Sequence, residues 1–365
     1  MKPSARLRSL DVMRGFIMIL LAAESALLYD SLAKLEAGTT ASALINQFFH
    51  HPWHGLRFWD LVQPAFMTMA GTAMYFSYRK RIQSGISWQQ NGRHVLSRSL
   101  KLFLCGVALH CVYAGVLVWE LWNVLTQLAV TTIIAYLVIE QTIKVQIVVS
   151  VALLVLTELL YRTVLIPGFD QPFVYGKNFG TWMDTVLMGK VNTDGWVAIN
   201  FLPTAAHTIA GVTIGKVLTK NENRSRALAT LLVAAVTCLI AGYSLDLFHI
   251  TPIIKRISTS SFVLASLGWV ILLFVLICWL VDVMKFDRYA WVITVVGMNA
   301  IFIYLFFETV GRQWLNGVVK IFSDGMLGRA GVSAHWQEVM AALAVLLVEW
   351  GICYWLYKRK IFFKL

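Results

Sequence analysis

Ten stretches of roughly twenty mostly apolar residues recur along the chain, and they constrain its folding more than any other feature. They lie near 9–30, 57–78, 98–119, 122–140, 145–163, 196–216, 227–246, 262–284, 289–311 and 337–357. In hydrocarbon every backbone polar group must be satisfied inside the segment, so runs of this length become helices. The expected fold is all-α: a polytopic integral membrane helical bundle of about ten transmembrane helices, one domain over 1–365. Composition agrees, with 58 % of residues in the set AVILMFWYC and 14 % charged, against about 45–50 % and about 25 % in soluble chains. A disordered chain, a secreted disulfide scaffold and a cytosolic enzyme are excluded together. The five cysteines all sit in apolar runs and form no CxxC, so neither a disulfide framework nor a structural zinc site is expected. The polar start MKPSARLRSL does not read as a cleavable signal, and the first apolar stretch is expected to remain as an anchor.

If the ten spans alternate, the longer connections 31–56, 164–195, 247–261 and 312–336 share one side. Roughly two thirds of the 31 Lys and Arg residues fall on the other side, with Arg79, Lys80, Arg81, Arg93, Arg98 and Lys101 gathered in the connection 79–101. The positive-inside rule then puts both termini in the cytoplasm. The formal net charge of +12 is thereby a topology signal, and no nucleic acid is needed to explain it.

Ionisable and amide side chains inside spans are costly and point to function. Asp11 and Arg14 lie three apart on one helical face, which a locally paired helix end also explains. Glu24 and Ser25 follow about 15 Å further along the same helix. Asp60 precedes Pro64, a proline expected to free the Asp60 carbonyl inside span two. Asn299 lies deep in VVGMNAIFIY, where its amide must find a partner. Lys255, Ser260 and Ser261 gather in TPIIKRISTSSF, while Pro203 and His207 interrupt span six. Gly211 and Gly215 form a GxxxG, read as close helix packing.

Three of the eight histidines, His50, His51 and His54, fall in FFHHPWHGLRFWD just before span two. Three readings compete. Zinc at His50 and His54 is opposed by Pro52 between them and by the lack of a further ligand at metal spacing. An interfacial belt with Trp53 and Trp59 explains the aromatics. A catalytic histidine oriented by Asp60 supplies the base that neutral-pH chemistry needs.

RLRSLDVMRGF at 6–16 followed by HHPWHGLRFWDLVQPAFMTMAG at 50–71 resembles the heparan-alpha-glucosaminide N-acetyltransferase family and its bacterial relatives. His50, Trp53, Gly55, Asp60, Leu61 and Pro64 stand in the register of that pattern, and further matches occur in order at 124–129, 183–196, 252–261, 297–304 and 355–365. The chain departs from the pattern with Ser25 where many relatives carry Asn, and with Gln63 where Phe is usual. The resemblance implies a membrane-embedded acetyltransferase of a bacterial inner membrane. It would move acetyl from cytosolic acetyl-CoA, as co-substrate and without a metal, to the amine of a glucosamine-type sugar on the far side. His50 would be the base or acetyl carrier and Asp60 its acidic neighbour. Glu24, Ser25, Trp53, Asn299, Lys255 and Ser261 would contact the substrate, with Asn299, Ser25 or Ser261 as oxyanion donors. Arg8, Arg14, Arg98 and Lys101 would meet the CoA phosphates. The implied partners are an amino sugar or glucosamine-containing glycan, membrane lipid and, in a homodimer, a second copy of the chain. A proton-coupled sugar or amino-sugar transporter is the alternative from another class, since buried carboxylates and kinked spans suit a carrier too. An O-acyltransferase acting on an envelope glycan keeps the chemistry and changes the acceptor.

Overall fold

Helix follows helix through the computed structural model, which describes residues 7–35, 38–221, 223–286, 288 and 290–363, and no β-strand runs among them. Lys2, Arg6 and Lys364, which enter the charge asymmetry, lie outside the described residues. A helix occupies each of the ten apolar stretches. Among the described residues, six helices are long and apolar enough to cross a membrane: Trp88–Ala114, Ile143–Thr163, Ala198–Lys220, Arg224–Leu247, Ser260–Val283 and Ala334–Lys358. The pair Ala290–Met298 and Ala300–Arg329, bent by 74°, makes up to seven if it is one span. Val124–Leu137 is apolar but shorter, and Arg8–Ser25 carries Arg8, Asp11, Arg14 and Glu24.

Several expected boundaries shift for local reasons. The helix expected from 98 begins at Trp88, because Ser87 and Gln90 close a reciprocal capping box over its first turn. It ends at Ala114, with Gly115 at φ +67° as its left-handed stop. The next helix starts at Val124 behind the Asn123 cap, so the connection is 115–123 and longer than the expected 119–122. Pro64 and Pro203 do not kink their helices. They fall in the first turns of Val62–Gln83 and Phe201–Lys220, where a missing N–H leaves no ladder bond unmade.

The chain forms two units. One gathers the described residues through His50, Arg57–Trp59 and those from Ile277 onward; the other holds His51–Leu56 and Asp60–Leu276. In the first, Arg8–Ser25 meets Ala290–Met298 backbone to backbone: a Cβ added at Gly15 would lie 2.0 Å from the Ile293 carbonyl oxygen, and one at Gly297 2.2 Å from that of Asp11. In the second, Val62–Gln83 crosses Phe201–Lys220 equally closely. A Cβ at Gly71 would lie 2.0 Å from the Thr208 oxygen, and one at Gly211 2.0 Å from the Thr68 oxygen. Small residues let helices approach to this distance, as expected for Gly211.

Candidate active site

Glycine shapes the turn that carries the histidines. Gly55 adopts φ +142°, and a Cβ there would lie 2.6 Å from His51 Nε2, so only glycine lets the imidazole lie over the turn. Gly55 donates its N–H to the Ile253 carbonyl at 2.8 Å, and His54 pairs with Ile254 in an isolated β-bridge. His54 Nε2 lies 2.7 Å from Asp246 Oδ1, which also accepts the Ile253 N–H at 3.0 Å. Residues 51–56 are thereby docked on the 252–261 loop. Thr259 and Ser261 brace that loop, each donating its hydroxyl to the Pro252 carbonyl at 2.7 Å.

This docking brings Asp60, fully buried, to Lys255, which is 5 % exposed. Lys255 Nζ stands 3.6 Å from Asp60 Oδ1, while Asp60 Oδ2 accepts the His51 N–H at 3.3 Å. The Lys255 ammonium lies 5.4 Å from the centroid of the Trp196 ring, and the Arg256 guanidinium 5.6 Å from the same ring. Arg256 also donates to the Asp194 carbonyl. Trp53 donates its indole N–H to the Phe173 carbonyl at 2.8 Å and meets Tyr175 edge-on, centroids 5.2 Å apart.

In the other unit His50 is half-buried, its ring centroid 6.4 Å from that of Trp59. Tyr29 stacks on Phe48 at 4.7 Å and meets Trp59 edge-on at 5.2 Å. Arg57 Nη1 donates to the His50 carbonyl at 3.1 Å. Within this unit Arg57 thus holds the His50 carbonyl.

The other expected residues divide clearly. Trp53, Asp60, Lys255 and Ser261 come together as described. Ser25 donates to the Phe307 carbonyl at 2.9 Å, and its own carbonyl accepts from Asn316 at 2.7 Å. The Asn299 amide donates to the Ile361 carbonyl at 3.1 Å and accepts the Phe363 N–H at 3.0 Å. All three expected oxyanion donors, Ser25, Ser261 and Asn299, thus make bonds that brace backbone. Glu24 is half-buried near the end of its helix, Arg8 is exposed, and Arg14 pairs with Asp11. Arg98 and Lys101, one turn apart, line a cavity of about 150 Å³ with Arg81, His94, Asn91 and Tyr78.

Sequence reasoning missed Arg57, Trp196 and Arg256, although Arg57 lies inside the histidine motif. It also missed two polar groups on the connections. Glu120 takes His110 Nδ1 at 2.7 Å and Lys190 Nζ at 2.6 Å. Burial works to raise its pKa, but the bonds from Lys190 and His110 prevail and hold it below the usual range. Asp184, fully buried, accepts the Trp122 indole N–H at 2.7 Å and the Ala198 N–H at 2.9 Å. Burial still pushes its pKa up to about 6, against those two bonds.

The family model described as "Heparan-alpha-glucosaminide N-acetyltransferase, catalytic" matches residues 6–251, more than half of the chain. The chain belongs to that family. No curated protein matches it. Membership makes this chain an enzyme of acyltransferase type, and its apolar helices make it an integral membrane protein. The match takes in the histidine motif, Asp60, Arg98 and Lys101, whereas Lys255, Ser261 and Asn299 lie beyond it.

Proposed function

We propose that this protein transfers acetyl from cytosolic acetyl-CoA to the amine of a glucosamine-type sugar on the extracytoplasmic side of a bacterial inner membrane. This reading takes ten spans with both termini in the cytoplasm, as the Lys and Arg asymmetry favours. The observation that carries it is the histidine motif, with the His50 carbonyl held by Arg57, inside the stretch that matches the acetyltransferase family.

Acetyl-CoA supplies an activated thioester. The residues around the cavity of about 150 Å³ suit its phosphates: Arg81, Arg98 and Lys101 bring positive charge, and guanidinium matches phosphate in two-pronged hydrogen bonds. In the proposed reaction the sugar amine attacks the thioester carbonyl; a C–N bond forms and the C–S bond breaks. His50 takes the proton lost by the nitrogen and returns it to the leaving sulfur. If His50 is first acetylated, a bond from an imidazole nitrogen to the acetyl carbon forms as the C–S bond breaks, the imidazole proton going to the sulfur. That bond then breaks as the amine nitrogen bonds to the acetyl carbon and gives its proton to the freed imidazole. Arg57 keeps the His50 backbone in place, so the ring meets the amine at little entropic cost.

The test uses sealed proteoliposomes with glucosamine on one side and acetyl-labelled acetyl-CoA on the other. Labelled N-acetylglucosamine is expected in the glucosamine compartment. Transfer that requires both reactants on the same side contradicts the transmembrane reaction. Labelling of glycan hydroxyls without any of the amine contradicts the acceptor.

A further inference from the structure

Three helices of the first unit, Leu28–Ala33, Asn316–Arg329 and Ala334–Lys358, each give one face to a cavity of about 270 Å³. Its floor is apolar, with Ala26, Ala342 and Val345 buried together in one cluster. Gly317 lines it as well, and a Cβ there would meet nothing within 4 Å, so space is open beside that helix.

The rim is charged. Lys34 Nζ lies 2.9 Å from Glu338 Oε2 and Lys320 Nζ 3.7 Å from Oε1, so one carboxylate gathers two ammoniums at the edge of the cavity. Each lysine side chain stays about half exposed, and Glu338 engages one of the three donors that each ammonium carries. Asp30, exposed and one turn before Lys34, feels that charge, but its carboxylate makes no ion pair among the described residues. Ala342 and Val345 lie in the apolar run of Ala334–Lys358, whereas Lys34 and Lys320 lie on the connections beyond the spans. A cavity apolar at its floor and charged at its rim fits a molecule standing at the bilayer surface.

We infer that this cavity seats the head of an aminophospholipid, with its phosphate on Lys34 and Lys320, its primary ammonium on Asp30 and the start of an acyl chain against the floor. The rim decides the class. Its four charges, two of each sign, sum to zero, so a zwitterionic head meets an opposite charge for each of its own. An anionic head would leave Asp30 unanswered. A choline head offers no N–H and is typically held by an aromatic cage, and none of the described residues lining this cavity is aromatic. A primary ammonium brings three donors to the carboxylate. None of the residues proposed for acetyl transfer lines the cavity, so this inference stands apart from that reaction.

Native mass spectrometry tests it on the purified protein titrated with phosphatidylethanolamine, phosphatidylcholine or phosphatidylglycerol of identical chains. Phosphatidylethanolamine is expected to bind about tenfold or more tightly than either of the others, the worth of one charge-assisted hydrogen bond. Asp30→Asn should erase that preference while lipid still binds. Lys34→Ala with Lys320→Ala should weaken phosphatidylethanolamine by a similar factor. Gly317→Leu fills the cavity from a position with room for a side chain and should exclude the lipid without lowering the melting temperature. O-phosphoethanolamine, the head without a tail, should not displace the lipid at equal concentration. Equal or tighter binding of either other lipid, a preference that survives Asp30→Asn, or binding untouched by Gly317→Leu would each overturn the inference. Displacement by O-phosphoethanolamine would make this a site for a free zwitterion and overturn the lipid.

Discussion

Removing the charge of Lys255 alone should damage the fold more than removing it together with that of Asp60. The two charges lie 3.6 Å apart, with Asp60 fully buried and Lys255 nearly so. At an effective dielectric constant of about 20, their attraction amounts to roughly 5 kcal/mol. Breaking a buried pair by deleting one partner typically costs about 3–5 kcal/mol, because the surviving charge stays buried without its counter-charge. Lys255→Met, similar in length and uncharged, should therefore lose about 3–5 kcal/mol. Asp60→Asn strands the Lys255 charge in turn and should lose a similar amount, although its amide oxygen can still accept the His51 N–H. The double variant removes both charges of the pair and should regain most of the Lys255→Met loss. Reversible unfolding in mixed micelles, run as a double-mutant cycle, measures the coupling. Losses that simply add would refute the pair as a unit.

Three further outcomes follow from the same geometry. Asp184 carries a folded-state pKa of about 6, above its unfolded value of about 3.9, so the native state binds the extra proton between them. Stability should fall by up to about 3 kcal/mol as pH rises from 4 to 6, and Asp184→Asn should flatten that slope in unfolding measured across the window. Gly55→Ala should cost about 1–3 kcal/mol, because it combines φ +142° with a contact on His51; an unchanged melting temperature and turnover would contradict this. Arg98→Ala with Lys101→Ala should weaken acetyl-CoA binding about tenfold or more in calorimetry, while Arg14→Ala changes it less because Asp11 already pairs with that guanidinium.

The helical architecture was legible because apolar runs of bilayer length leave the backbone little choice. Helix ends were less so. Trp88 opens its helix through WQQNGRHVLS, which is polar, and the readable cue was the Ser87–Gln90 capping box rather than hydrophobicity. The histidine motif, Gly55 and Asp60 stood out by resemblance. The partners did not. Lys255 lies far along the chain from Asp60, as Ile361 and Phe363 do from Asn299, and such pairings arise from packing that spacing does not encode. Asn299 was rightly read as an amide needing partners, but these proved to be backbone groups.

In the proposed reaction His50 carries acetyl transfer, a role that single-turnover kinetics with acetyl-labelled acetyl-CoA and glucosamine measure. His50→Ala should lower the rate by about 10²–10⁴-fold, the usual consequence of losing a general base, while acetyl-CoA still binds. His51→Ala and His54→Ala serve as controls and should keep most of the rate, since His51 acts on Asp60 through its backbone N–H and His54 is committed to Asp246. A His50→Ala protein that turns over at nearly the full rate would contradict the account.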